Sequence, residues 1–156
     1  MVIIGLDPGC KESALLVFNG EKVLEGLVLP NEDLLRILDQ PPFDYNAGIL
    51  VVERMQTFTS HLGVGSEVFD SEFWAGRFVQ AWSPRRWERL LRSKVRAHLQ
   101  VSKGGDAAVR ASLIDRFGPY KADAIGTKKS PGPLYGVTGH LWSALAVAIT
   151  WADSQE

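Results

Sequence analysis

The chain is expected to fold as an α/β protein, a single domain built on one mixed five-stranded sheet with helices packed on its faces. Three observations carry that expectation. Residues 2–29 hold three short apolar runs in quick succession, two of them separated by Asn19-Gly20. Residues 48–53 (GILVVE) are apolar almost without interruption, as a strand covered on both faces would be. The rest of the 156 residues interleaves longer helix-patterned segments with Gly and Pro punctuation and one further strand-like run.

Taken in order, residues 2–7 (VIIGLD) make a first buried strand, broken by Pro8-Gly9. Residues 13–18 (SALLVF) make a second, and Asn19-Gly20 reads as a two-residue hairpin leading to a third strand over 22–29. Asn31 is expected to N-cap a helix over 32–39, with Glu32 and Asp33 favourable in its first turn and Gln40-Pro41-Pro42 stopping it. The fourth strand is 48–53. Ser66–Trp82 reads as a helix carrying Val68, Phe69, Phe73, Trp74, Phe78 and Ala81 on or near one side. Ser83 and Pro84 then suit the N-cap and first position of a short basic helix over 85–92, and 95–101 suits a fifth strand. Gly105-Asp106 opens a helix that runs to Phe117 and closes at Gly118-Pro119. A long loop over 120–137 follows, after which Thr138 is expected to cap a last helix, GHLWSALAVAIT, apolar nearly all round. No internal repeat and no linker interrupts the series.

Composition narrows the class. At 46% hydrophobic and 22% charged, the chain suits a soluble globular protein. The apolar run 141–151 is too short for a bilayer, which takes about 20 residues. The run 2–6 is too short for a secretory leader and meets Asp7 at once. Cys10 is the only cysteine, so no disulfide can form within the chain, and a reducing, cytoplasmic setting is expected. The net charge of −1 is uninformative, but its distribution is not. Arg85, Arg86, Arg89, Arg92, Lys94, Arg96 and Lys103 face Glu88 alone between Pro84 and Lys103, with Lys121, Lys128 and Lys129 as a second cluster. Such a stripe is either a solvated face or a surface for anions such as nucleic acid.

Two acids stand out. Asp7 ends the first strand and Glu53 ends the fourth. If the strands are neighbours, both carboxylates meet at one edge of the sheet, where each raises the other's pKa unless a cation neutralises them. A divalent metal is one solution, since Mg²⁺ is typically held by one or two carboxylates plus phosphate oxygens and water. The alternative is structural: Asp7 caps the Pro8-Gly9 turn and Glu53 pairs with an arginine. At the start of the last helix, His140 and Ser143 lie three apart, on one face.

The combination of IIGLDPG before a strand, VVERM after a central strand, and SALAVAIT in a final helix resembles the RuvC family of Holliday-junction resolvases, in the same order and at similar spacing. The segments DAAVRASLIDRFG and GTKKSPGPLYG resemble its phage and prophage members. The resemblance implies an RNase H-like fold, a homodimer, and paired nicking of branched DNA with Mg²⁺ or Mn²⁺, two ions in all, in a bacterial or phage-infected cytoplasm. It places the family's acids on Asp7 and Glu53 and puts His140 and Ser143 where two further acids normally stand. A neutral imidazole is a competent ligand or base; a serine keeps an oxygen but no charge. The implied metal ligands are Asp7, Glu53 and His140, with Ser143 and Asp106 as further catalytic candidates. Lys103, Arg85, Arg86, Arg89 and Arg92 would meet DNA phosphates, as would Lys128 and Lys129. The segment Arg54-Met55-Gln56-Thr57-Phe58 resembles the family's junction-entering loop, with Met55 or Phe58 as an apolar wedge. The aromatic helix Ser66–Trp82 suits a dimer interface, or else it packs wholly on the sheet. Two other functions stay open: a junction-binding protein that has lost catalysis, or a nuclease of the same fold acting on flaps, forks or RNA–DNA hybrids.

Overall fold

A computed structural model describes residues 1–55 and 65–156. Among the described residues, five strands form one sheet: β1 (Ile3–Asp7), β2 (Glu12–Phe18), β3 (Val23–Pro30), β4 (Ile49–Arg54) and β5 (Trp87–Leu91). Their order across the sheet is β3-β2-β1-β4-β5. The first three form an antiparallel meander, while β4 runs parallel to β1, and β5 parallel to β4. The helices are α1 (Asn31–Asp39), α2 (Ser66–Trp82), α3 (Arg92–His98), α4 (Asp106–Phe117), α5 (Lys121–Ala124) and α6 (Leu141–Asp153).

The strand period of two splits the apolar residues between two cores. Ile4, Leu6, Leu15, Val17, Leu50 and Val52 point to one face, where Leu34, Leu38, Phe78 and Trp82 of α1 and α2 cover them. Ile3, Leu16, Phe18, Ile49 and Val51 point to the other and meet α3, α4 and above all α6. β4 therefore needs apolar residues at every position, which is why GILVVE reads as it does. α6 lies directly on β1: a Cβ built at Gly5 would sit 2.0 Å from the Ala144 carbonyl oxygen. Only glycine admits so close an approach. The same seating explains why α6 is apolar all round, since residues from Ala144 to Trp151 are all buried.

Several expectations are corrected. The segment 85–92, expected as a helix, contains β5, and 95–101, expected as a strand, is mostly α3. Glu, Arg and Leu favour helices intrinsically, but in residues 87–91 ladder pairing with β4 outweighs that preference. Val95 of α3 and Leu99, which caps it, stand one turn apart and are buried together against the α6 side. Ser83 does not start a helix. It ends α2, its hydroxyl and its N–H both donating to Val79 O at 2.8 and 3.0 Å. The β2–β3 connection takes four residues rather than two, because Phe18 pairs with Val23; Asn19 Oδ1 accepts from the Glu21 and Lys22 N–H groups. The 120–137 segment is not all loop: it contains α5, and Pro133 O accepts from the Val23 N–H at 2.8 Å, tying it to β3. Thr138 does not cap α6 with its side chain. His140 occupies that position with no side-chain cap bond, following Gly139 in the left-handed region (φ 50°).

Asn31 is likewise not a cap. It is the first residue of α1, after Pro30, and it is buried. Its Nδ2 donates to Gly9 O at 2.9 Å, and its Oδ1 accepts from the Ser13 hydroxyl at 2.6 Å. Ser13 Oγ in turn accepts from the Gly9 N–H at 2.9 Å. This satisfied buried network holds the turn that follows Asp7.

Candidate active site

Leu6 pairs with Val52 across the parallel β1–β4 ladder, so the next residue on each strand, Asp7 and Glu53, arrives at the same edge of the sheet. The conditional expectation about neighbouring strands is met. Both side chains are sheltered, 16% and 7% exposed. The two carboxyls are close enough to perturb each other. Burial pushes Glu53 up to about 8, helped by the Asp7 charge and opposed by the Arg92 guanidinium. Burial also raises Asp7 to about 6, while the neighbouring Glu53 carboxyl and the charge of Arg92 hold it lower. Both carboxyls are therefore held above their ordinary range, so the pair keeps a proton more readily than two free carboxylates would.

The other side of the site comes from helix starts. His140 Nδ1 lies 3.5 Å from Asp7 Oδ2, with the ring 71% exposed. Ser143, one turn into α6, faces the same cleft. Arg92 opens α3 directly after β5, and the β4–β5 pairing (Glu53 with Leu90) brings it alongside. Its Nε is 3.7 Å from Glu53 Oε1 and its Nη2 is 3.1 Å from Asp106 Oδ1 at the start of α4. A cleft of about 400 Å³ is lined by Asp7, Glu53, Arg92, Asp106, His140 and Ser143. All five catalytic candidates thus meet in one place.

The DNA-contact candidates do not. Met55 lines the cleft, its N–H donating to Glu72 Oε1 at 3.2 Å, and Arg54 is exposed at the end of β4. Phe58 lies outside the described residues. Arg92 belongs to the cleft, and Lys103 is exposed in the loop leading to α4. Arg89 turns inward: its Nη2 meets Glu72 Oε2 at 2.6 Å, and its Nε is buried with no hydrogen-bond partner among the described residues. Arg85 and Arg86 precede β5, at the sheet end away from Asp7 and Glu53. Arg85 bonds Asn46 Oδ1 at 3.0 Å, and Arg86 stacks 5.3 Å over Trp151. Lys128 and Lys129 are exposed in a turn closed by Thr127 and Ser130. The basic stripe is therefore divided among separate surfaces.

Sequence reasoning missed three contributors. Ser13 and Asn31 brace the Asp7 turn, and a polar residue opening an apolar strand was the available signal. Arg110, one turn after Asp106 on α4, lies over the Trp142 ring at 5.4 Å and with Lys121 lines a hollow of about 760 Å³ beside the cleft. Its i,i+4 spacing from Asp106 was readable.

The acid pair makes the metal-free fold pH-sensitive. Both carboxyls bind protons more tightly folded than unfolded, so the stability they allow is fully present below about pH 4 and is lost as pH rises toward 8. In chelator, Tm is expected to fall across pH 5–8.5, and the slope to flatten in Asp7→Asn. A wild-type curve that rises or stays flat over that window contradicts the upward shift of the two carboxyls.

Among the described residues, no three His, Cys, Asp or Glu side chains converge as a closed metal-ligand set, and no helix is long and apolar enough to cross a membrane. No family model and no curated protein matches the chain. Among solved structures it is similar to Thermus thermophilus RuvC in complex with Holliday junction substrate, at 19% identity and a TM-score of 0.66, over 99% of this chain and 94% of that one. It is also similar to a second Thermus thermophilus RuvC structure, at 19% identity and a TM-score of 0.64, over 97% and 93% of the two chains. The fold is therefore the RuvC, RNase H-like fold, as the sequence motifs implied.

Proposed function

We propose that the protein is a divalent-metal-dependent endonuclease of RuvC type that cuts four-way DNA junctions by paired nicks, leaving 5′-phosphate and 3′-hydroxyl ends. The observation that carries this reading is the buried Asp7–Glu53 pair at the adjoining ends of β1 and β4, opening into the cleft beside His140. Similarity to a RuvC solved with junction DNA supports branched DNA as the substrate class.

The donor set fits a hard cation. Burial holds both carboxyls above their ordinary range, so a bound cation is favoured over two bare charges, and a carboxylate pair opening into a cleft with room for water and phosphate is the arrangement Mg²⁺ uses. Asp7, Glu53 and His140 would hold one or two Mg²⁺ or Mn²⁺ ions. Bound there, the metal would supply positive charge to the scissile phosphate and make a water acidic enough to attack it.

The chain's own residues do the rest. Asp7 and Glu53, once deprotonated, hold the charge that organises the site. Where His140 is not a ligand, its solvent-open imidazole next to Asp7 can instead take the proton of the attacking water. Ser143 offers a hydroxyl that orients a water without adding charge. Exposed Arg54 and Lys103, with Arg92 once it turns from the acids, can neutralise DNA phosphates, so binding should weaken steeply with salt. Met55, which lines the cleft, would contact a base. Paired nicks require two copies. Phe69 and Phe73 on α2, 65% and 64% exposed, offer the apolar surface for a homodimer, whereas Phe78 is buried in the core. A cytoplasmic protein acting on recombination intermediates is the corresponding setting.

One panel tests the proposal: labelled four-way junction, fork, flap and RNA–DNA hybrid, each with Mg²⁺ and with Mn²⁺. Symmetric junction nicks are expected, from a protein whose scattering mass is twice that of the chain. Preferential cutting of another substrate moves the assignment within the fold. Tight junction binding without cutting under either metal favours a binding protein, the reading to which Ser143 would lend weight.

A further inference from the structure

Arg92 stands in an unusual relation to the acids. It faces Glu53 at 3.7 Å, beyond hydrogen-bond reach, and is anchored instead at 3.1 Å to Asp106, whose side chain is 74% exposed. Its own side chain is 40% exposed. The contrast with Arg89 is informative: that arginine, half-buried, is locked on Glu72 at 2.6 Å. A guanidinium held by one exposed carboxylate is cheap to release, since such pairs contribute little. It is nevertheless a cation directed at the sheltered acid pair. Lys11, Glu12, Glu67, Asp106, His140 and Ser143 also line the cleft, but Arg92 is the cation within 4 Å of Glu53 among the described residues.

We propose that Arg92 is the resident counter-cation of the acid pair, competing with the metal for Glu53 and turning outward to a DNA phosphate when the metal enters. Metal loading and DNA capture are then coupled through one side chain: the cation that leaves the acids is the cation that becomes available to the nucleic acid. Asp106 is the positioning residue that parks Arg92 between the two states. This inference rests on reading Asp7 and Glu53 as metal ligands.

Calorimetric titration of Mn²⁺ into metal-free protein, without DNA, tests it. Arg92→Gln is expected to bind Mn²⁺ roughly fivefold more tightly than wild type, the size of a partly exposed ion pair. Arg92→Lys, which keeps the charge, should stay near wild type. Arg92→Met, which keeps the stem, carries the same test should the glutamine variant melt early. Equal or weaker Mn²⁺ binding in the neutral variants overturns the inference and makes Arg92 a group that merely orients the carboxylates. Wild type that binds no Mn²⁺, or Asp7→Asn that binds it undiminished, overturns the metal reading itself and the inference with it.

Discussion

Replacing Asp7 by asparagine is expected to reduce metal-dependent junction cleavage by about a thousandfold or more, since a catalytic metal supplies several kcal/mol and each ~1.4 kcal/mol is tenfold in rate. Junction binding should stay within a few-fold. The substitution is nearly isosteric, and its amide can still hydrogen-bond Glu53, so the end of β1 keeps its shape. What it removes is the charge at the point where β1, β4 and α6 converge. Glu53→Gln should behave alike, because the two carboxyls act as one unit. Single-turnover cleavage of a labelled junction, with binding measured in chelator, separates the two effects. Cleavage that survives both substitutions would sink the proposed chemistry.

The second large effect is structural. Gly5→Ala is expected to destabilise the fold by about 3 kcal/mol. Its Cβ would stand 2.0 Å from Ala144 O, 2.9 Å from Ala144 C and 3.1 Å from Ala148 Cβ. None of these is the tip of a flexible side chain, so α6 has to lift from β1. That movement also carries His140 away from Asp7, and cleavage should fall even at temperatures where the variant remains folded. Urea unfolding and single-turnover kinetics check both parts. A loss of stability below about 0.5 kcal/mol, the scale of an ordinary surface change, would mean that α6 is not seated as described.

How far the chain could be read before folding depended on which force decided each segment. β4 and α6 were legible because burial on all sides leaves no room for polar residues. Asp7, Glu53, His140 and Ser143 were legible because a polar residue at the end of such an element needs a reason. The stretch from Ser83 to Val101 was not legible. In β5, backbone pairing with a distant strand outweighs the helix preference of Glu, Arg and Leu, and no local pattern announces it. At α3, Val95 and Leu99 admit either period, and only the α6 side of the core decides between them. The basic stripe misled for a similar reason. Charge is read along the chain, whereas β5 carries Arg89 inward to Glu72 and leaves Arg85 and Arg86 at the opposite end of the sheet from Arg92. Asn31 misled because a polar residue before a helix is usually a cap, while here the Gly9 carbonyl and the Ser13 hydroxyl claim its amide.

The parallel pairing of β1 with β4 has a consequence for the life of the chain. Parallel neighbours need a long crossover, so the two acids come together only after distant segments have docked. His140 lies at the start of α6, the last helix in the chain, and is synthesised after both. A ribosome-bound or half-unfolded chain thus carries the acids but no cutting centre. If the protein is a nuclease, it is harmless until α6 has packed, and any fluctuation that lifts that helix disarms it.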